Sequence, residues 1–172
     1  EGEYLTDRLT DEAIKFVKKS HAQGKPFLLN MWYYTVHTPV TGKPDKIAKY
    51  MEKAEKMGIA DDIDTIDSYG TGHKKIQNYP EYAAMVESMD ENVGRLLACL
   101  NEQGITDNTV VIFTSDNGGL SSTKITSNLP LRGGKAWIFE GGIREPLIIK
   151  YPGVTEGGTV CTEPVISTDF YP

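Results

Sequence analysis

An aspartate and an asparagine stand side by side where a run of apolar and β-branched residues ends. The run is "NTVVIFTS" (residues 108–115), and Asp116, Asn117 and two glycines follow it. One interpretation is a reverse turn, because these residue types suit a turn with positive φ at glycine. The other is a metal site, because a carboxylate beside an amide carbonyl supplies the hard oxygen ligands that Ca²⁺ or Mg²⁺ prefers. We favour the metal site, because the strand is predicted to be central and a long Gly-rich loop follows it. Calcium takes about six to eight oxygen ligands, so the other ligands must come from elsewhere.

Two further residues could bind an anion beside such a metal. His37 follows the apolar segment "PFLLNMWYY" (residues 26–34), and Lys135 lies in "LPLRGGKAWIFEGG". A lone loop histidine is more often incidental, and a loop lysine is normally solvated. However, His37 follows a predicted buried strand, as the Asp-Asn pair does, and sites in α/β sheets gather at the carboxyl ends of strands. The glycines before Lys135 and the aromatic residues after it would let that segment fold inward and present an ammonium group.

The other histidines and the cysteines receive no chemical role. His21 ends a predicted helix and His73 lies in a polar segment, so both are interpreted as surface residues. Cys99 falls in an apolar helical pattern and is predicted to be a buried small hydrophobe. Neither Cys99 nor Cys161 has zinc-ligand spacing, and such sparse cysteine usage does not favour a disulfide.

The elements that must position these residues alternate between helices and strands. Apolar periodicity or composition predicts helices in three segments: about residues 5–19, 45–57 and 80–103. Three segments are predicted strands with little alternation: residues 26–34, 108–115 and 146–152. Thr6 is the predicted N-cap of the first helix, and Gly104 is the predicted C-terminal cap of the third. Residues 59–79 are predicted to be irregular. This order predicts an α/β layered fold with a mainly parallel sheet.

Length and charge narrow the class of protein. The chain has 172 residues, enough for one domain with a core, and a net charge of −6. This charge argues against a general nucleic-acid binder, which normally carries a basic surface. No apolar run is long enough to span a membrane. Because both ends look cut, we expect the chain to be part of a longer protein.

Three ordered blocks resemble the type I sulfatases, the formylglycine-dependent enzymes of the alkaline phosphatase superfamily. The blocks are "PFLLNMWYYTVHTP", "YAAMVESMDENVGRLLACLNEQGITDNTVVIFTSDNGG" and "LPLRGGKAWIFEGGIREPLIIKYPG". The resemblance looks strongest to the arylsulfatase and polysaccharide-sulfatase branch. It implies an alkaline-phosphatase-like layered α/β fold, with a mainly parallel central sheet flanked by helices. Residues 1–172 would form part of a single catalytic domain, without its N-terminal, nucleophile-bearing portion.

The same resemblance implies roles for the residues named above. Asp116 and Asn117 match a pair of calcium ligands, with Mg²⁺ as an alternative ion. His37 matches the histidine that contacts the sulfate ester near its leaving oxygen, and Lys135 matches the lysine that contacts sulfate and the bridging oxygen. The implied substrate is a sulfated small molecule or glycan. The implied location is exported: periplasmic, extracellular or lysosomal.

The family motif that supplies the nucleophile is not in this sequence. The formylglycine precursor stands first in Cys- or Ser-x-Pro-Ser-Arg, and neither cysteine of this chain has that context. A phosphoester or phosphonate hydrolase of the same superfamily and a non-catalytic binding homologue are therefore the alternatives. If the family's sheet takes strands from both halves, this chain would pair with the N-terminal portion or associate with itself.

Overall fold

Three long helices pack together through the third of them. In the computed structural model, residues 2–68 and 70–170 are described. The helices are α1 (Leu5–Ala22), α2 (Pro44–Lys56) and α3 (Pro80–Glu102), and α3 packs against both others. Proline opens α2 and α3 at the first helical position, where its fixed φ is already helical and its missing N–H costs nothing. Gly104, with a φ of 67°, ends α3 as predicted. None of the described helices is long and apolar enough to cross a membrane.

Two short antiparallel strand pairs lie in the described residues beside these helices. Strands β1 (Thr65–Ser68) and β2 (Thr71–Lys74) form a hairpin, and β3 (Val111–Thr114) pairs with β4 (Leu147–Lys150). A one-turn helix, α4 (Glu140–Ile143), precedes β4. Three 3₁₀ turns lie at Thr106–Asn108, Ser121–Thr123 and Ser167–Phe170. The hairpin corrects the prediction that residues 59–79 are irregular, and within the described residues the sheet pairs are antiparallel rather than parallel.

The segment at residues 26–34 does not form the predicted strand. It has no regular secondary structure, because no other described segment hydrogen-bonds to its backbone as a strand would. Leu28 and Trp32 are 84% and 83% exposed, so the expected burial on both faces is wrong for this chain. The predicted strands at 108–115 and 146–152 are present, but shortened to β3 and β4.

The first turn of α1 also differs from the prediction. The helix begins at Leu5 after Tyr4, and no side chain caps it. Thr6 is therefore not the N-cap: it lies inside the helix, is buried, and its hydroxyl hydrogen-bonds to the hydroxyl of Thr35. Thr10, one turn later, accepts a hydrogen bond from the Tyr33 hydroxyl at 2.7 Å. Helix α1 thus holds residues 33–35, which lead directly to His37.

The core lies between α1, α3 and the segments next to them. Val17, Cys99 and Leu100 are its buried centre, which confirms Cys99 as a buried residue. Half-buried apolar side chains pack around this centre: Ile14, Phe27, Leu29, Leu96, Ile105 and Val111. The α1–α3 contact also contains a fully buried polar group, Asn92. Its amide donates to Asp7 Oδ1 at 2.8 Å and to the Ser88 carbonyl, and it accepts from Arg95, so its burial leaves no hydrogen bond unmade.

Helices α2 and α3 are joined by a network of ion pairs. Lys46, only 7% exposed, pairs with Glu87 at 3.4 Å and with Glu91, and Lys49 pairs with Glu87 at 2.7 Å. The hydrogen bond from Lys49, supported by Lys46, outweighs the opposite effect of burial and lowers the pKa of Glu87 below its ordinary 4.5. Protonation of Glu87 would therefore weaken the α2–α3 contact.

We expect Glu87→Gln to destabilise the intact protein by about 1 kcal/mol near neutral pH. The folded pKa of Glu87 is lowered, so its contribution is complete above pH 4.5 and is lost as the pH falls through the folded value. Urea unfolding of wild type and variant between about pH 7 and pH 3 measures the difference in the free energy of unfolding. Glu163→Gln, at an exposed position, is the control. If the stability difference between wild type and Glu87→Gln stays constant down to acidic pH, Glu87 does not stabilise the fold as a carboxylate.

Candidate active site

The structure brings together two of the residues that the sequence singles out. Lys135 Nζ lies 2.9 Å from His37 Nε2, although the two residues are 98 positions apart. His37 is exposed in the loop after residues 26–34, and Lys135 is half-buried in the loop before α4. A histidine and a lysine in direct contact at an accessible position can both face one bound anion.

The hydrogen bonds of His37 define its resting tautomer. Its Nδ1 lies 2.8 Å from the carbonyl oxygen of Thr38, which can only accept, so Nδ1 carries the proton. Nε2 of the neutral ring is then an acceptor, and the Lys135 ammonium donates to it. The ring nitrogen of His37 that could carry a proton to a substrate, Nε2, is therefore already hydrogen-bonded to Lys135.

Asp116 and Asn117 lie just past the end of β3, as predicted, with only Ser115 between the strand and Asp116. Asp116 is exposed, and its carboxylate makes no hydrogen bond or ion pair with any described residue. The Asn117 amide donates through Nδ2 to the Gly118 carbonyl at 3.0 Å. Its Oδ1 accepts nothing from the described part of the chain. Two adjacent side chains therefore keep oxygen atoms without protein donors, as ligands of a hard cation must.

A second carboxyl group near Asp116 supports this interpretation. Burial, and then the negative charge of Asp116, raises the pKa of Glu145. The Glu145 Oε1 atom is buried and has no hydrogen-bond partner in the described chain. The end of β3 thus carries negative charge that no described cation neutralises. Asp116 and Asn117 fit a divalent cation but do not complete its site, because residues 2–68 and 70–170 contain no group of three His, Cys, Asp or Glu side chains able to hold one.

Backbone hydrogen bonds tie the Asp-Asn turn to the loop that carries Lys135. The carbonyl of Gly119 accepts the Lys135 N–H at 3.1 Å, and Gly118 donates to the Gly142 carbonyl at 3.3 Å. Ala136, the residue after Lys135, has a φ of 72°, a left-handed conformation that alanine rarely adopts. Surrounding contacts must hold the chain in this conformation, so the position of Lys135 is set by the loop and not by its own preference.

His73 corrects the expectation of a surface histidine. It lies in β2, is only 3% exposed, and its ring packs edge-on against Trp137 at 5.3 Å between centroids. Its Nδ1 lies 2.7 Å from Ser121 Oγ, and Ser121 Oγ donates to the Gly133 carbonyl at 3.2 Å. His73 therefore supports the Lys135 loop from behind. Sequence reasoning missed it because β2 is polar in sequence, so its local composition does not indicate that His73 is buried.

Glycine is required where these loops cross. A Cβ added at Gly134 would lie 2.4 Å from the Gly119 carbonyl oxygen and 2.5 Å from Ser121 Oγ. A Cβ at Gly118 would lie 1.7 Å from the carbonyl oxygen of Gly141. These distances are far below van der Waals contact, so the glycines of "SDNGG" and "LRGGK" permit the close approach of two loops.

Comparisons with known proteins identify the group to which the chain is similar. A model of the family described as Sulfatase matches residues 1–172. A protein described as "Sulfatase" from Formosa agariphila is 38% identical over 178 residues, and the match covers 98% of this chain and 29% of that protein. Human steryl-sulfatase is 33% identical over 175 residues, with 98% and 25% covered.

A solved structure shares the fold. The crystal structure of Ps i-CgsB in complex with k-i-k-neocarrahexaose matches with a TM-score of 0.69 at 33% identity, over 89% of this chain and 29% of that one. The predicted α/β, alkaline-phosphatase-like fold class is thereby confirmed. The chain spans only 25% to 29% of the length of these three proteins.

We expect Gly134→Ala to destabilise the intact protein by about 1–3 kcal/mol, because the added methyl group overlaps the Gly119 carbonyl. Denaturant unfolding measures the change, and a crystal structure of the variant should show the Gly119–Lys135 hydrogen bond lengthened. Gly157→Ala, where a Cβ meets nothing within 4 Å, is the matched control. Equal stability of the two variants would show that the loops do not cross as closely as described.

Proposed function

Because the chain belongs to the sulfatase family, we propose that the intact protein hydrolyses a sulfate monoester with the site formed by His37, Lys135, Asp116 and Asn117. The family assignment confirms the resemblance carried by the three sequence blocks. The observation that carries the proposal is the 2.9 Å contact between Lys135 and His37, which faces an accessible loop region. In this proposal residues 1–172 are part of one catalytic domain.

His37 and Lys135 act on different charges of the same ester. As the S–O bond breaks, negative charge grows on the leaving oxygen, and a protonated His37 Nε2 donates a proton to that oxygen. Lys135, with three N–H donors, holds the sulfate and the bridging oxygen. The Thr38 carbonyl accepts from His37 Nδ1 and fixes the ring so that Nε2 faces Lys135 and the ester.

The metal and the nucleophile complete the proposal. Asp116 and Asn117 would hold Ca²⁺, with Mg²⁺ as the alternative, and the ion would supply a positive charge for a sulfate oxygen. An amide oxygen is a poor ligand for zinc, so the Asp-Asn pair favours calcium over the transition metals of related phosphoesterases. A formylglycine from a segment outside these 172 residues would supply the attacking oxygen.

The substrate we propose is a sulfated glycan or a sulfated small molecule. The support for a glycan is the similarity to Ps i-CgsB, whose structure contains a neocarrahexaose. The partner of this chain would be the N-terminal portion of the protein, and the protein would be exported. A phosphoester hydrolase of the same superfamily is the alternative that rate comparison with an aryl phosphate would detect.

We expect His37→Ala to lower kcat for a sulfate ester by about 10²–10⁴-fold in the intact enzyme. The loss should grow with the pKa of the leaving alcohol, because a poor leaving group depends more on the proton that His37 supplies. A series of aryl sulfates measures this dependence. His21→Ala, at the exposed end of α1, is the control. Unchanged turnover, or a loss independent of the leaving group, removes His37 as the acid.

We expect calcium to raise the melting temperature of the intact protein, because an ion that binds only the folded state stabilises it. Removal of the metal by a chelator should reverse the shift and abolish hydrolysis. Asp116→Ala should reduce the shift strongly, whereas Asp61→Ala, at an exposed loop position, should leave it unchanged. An equal calcium shift in both variants contradicts Asp116 as a ligand.

A further inference from the structure

The side chain of Asn128 lies at the junction of the two segments that carry the proposed catalytic groups. Its Oδ1 accepts the N–H of Gly119 at 3.1 Å. Its Nδ2 donates to the carbonyl of Gly119 at 2.8 Å and to the carbonyl of Gly133 at 3.0 Å. Both N–H donors and the oxygen of this amide are therefore used, and all three bonds go to backbone atoms of other loop residues.

The two glycines that Asn128 holds flank the site. Gly119 lies two residues after Asn117, and Gly133 lies two residues before Lys135. The Gly119 carbonyl also accepts the Lys135 N–H at 3.1 Å, so Asn128 and the Lys135 backbone meet on one oxygen atom. A shift of either segment would break hydrogen bonds to the other.

A second side chain, that of Ser121, also binds the same segment. The Gly133 carbonyl accepts from Ser121 Oγ as well as from Asn128, and the buried His73 stands behind Ser121. A Cβ at Gly134 would lie 2.6 Å from Asn128 Nδ2, so the amide fits against the backbone without free space. Such close packing restricts the movement of the backbone next to Lys135.

We propose that Asn128 is a positioning residue for Lys135: it fixes the distance between the Asp116–Asn117 turn and the lysine, and it does not touch the substrate itself. The inference rests on the proposed role of Lys135 in sulfate-ester hydrolysis. Lys135 has a long, flexible side chain, so its ammonium reaches both His37 and an ester only if its backbone is held in place. A displacement of about 1 Å at a catalytic group costs on the order of 100-fold in rate.

The first test removes the Asn128 donors while the fold is monitored. Asn128→Asp keeps the volume and the acceptor for Gly119 N–H, but a carboxylate cannot donate to the two carbonyls. We expect kcat in the intact enzyme to fall about 10- to 100-fold, with a smaller change in KM. Asn128→Ala should give a similar loss.

Asn78→Ala is the matched control. The Asn78 amide also joins loop carbonyls, those of Ile59 and Asp62, but makes no hydrogen bond to the residues of the proposed site. We expect it to lower the melting temperature without lowering kcat per folded molecule. If the Asn128 variants lose activity only in proportion to lost folded protein, as this control would, the proposal is overturned.

A double-mutant cycle tests whether Asn128 acts through Lys135. In the Lys135→Ala background, Asn128→Asp should change kcat less than about threefold, because the group it positions has been removed. Additive losses overturn the positioning role while leaving Lys135 as a catalytic residue. If Lys135→Ala alone leaves hydrolysis unchanged, the proposed function of Lys135 fails, and the role of Asn128 fails with it.

Discussion

The carbonyl oxygen of Gly119 accepts hydrogen bonds from Ser121 N–H, Asn128 Nδ2 and Lys135 N–H, and the geometry of the candidate site depends on it. This one oxygen joins the turn after β3 to the loop that contains Asn128 and Lys135. A Cβ at Gly119 would lie 2.6 Å from Thr126 Cγ2 and 2.8 Å from Asn128 Oδ1, so a larger residue would displace the Asn128 amide. The glycines of the two loops therefore do not provide flexibility. They permit a close, hydrogen-bonded crossing that is more rigid than either loop alone.

Charge is separated within this crossing. Asp116 and the partly buried Glu145 lie at the end of β3, whereas Lys135 contacts His37. The Lys135 ammonium lies 2.9 Å from His37 Nε2 and is the positive group nearest to that ring nitrogen among the described contacts. An anion bound against this pair would be attracted by the Lys135 ammonium. A cation at Asp116 would act in the same direction on the ester and would neutralise the carboxylates. Each charged partner makes the binding of the next more favourable.

Sequence reasoning predicted the helices well and the strands less well, and it selected two residues that the structure brings into contact. Helices α1, α2 and α3 were predictable from Pro44, Pro80, Gly104 and apolar periodicity, since these are local signals. His37, Lys135, Asp116 and Asn117 were selected by their position after apolar runs, and the structure places His37 on Lys135. The β1–β2 hairpin and His73 were missed, because burial of a polar strand depends on what packs against it and not on its own composition. The strand predicted at residues 26–34 is absent for the opposite reason. Their composition is that of a buried strand, but a strand also requires neighbours, and no other described segment pairs with them.

The absence of a strand ladder at residues 26–34 determines how His37 is held. Its loop is fixed to α1 by side-chain contacts: the hydroxyl of Thr35 to Thr6, the hydroxyl of Tyr33 to Thr10, and Phe27 edge-on against Phe16 at 6.0 Å. Lys135, by contrast, is held through backbone atoms of Gly119. Single side-chain hydrogen bonds are worth about 1 kcal/mol each, whereas a crossing built from several backbone bonds and glycine contacts opens only as a unit. The histidine side of the contact is therefore the adjustable one. Under the proposed function, His37 would follow the leaving oxygen of the ester, and Lys135 would define where the sulfate group lies.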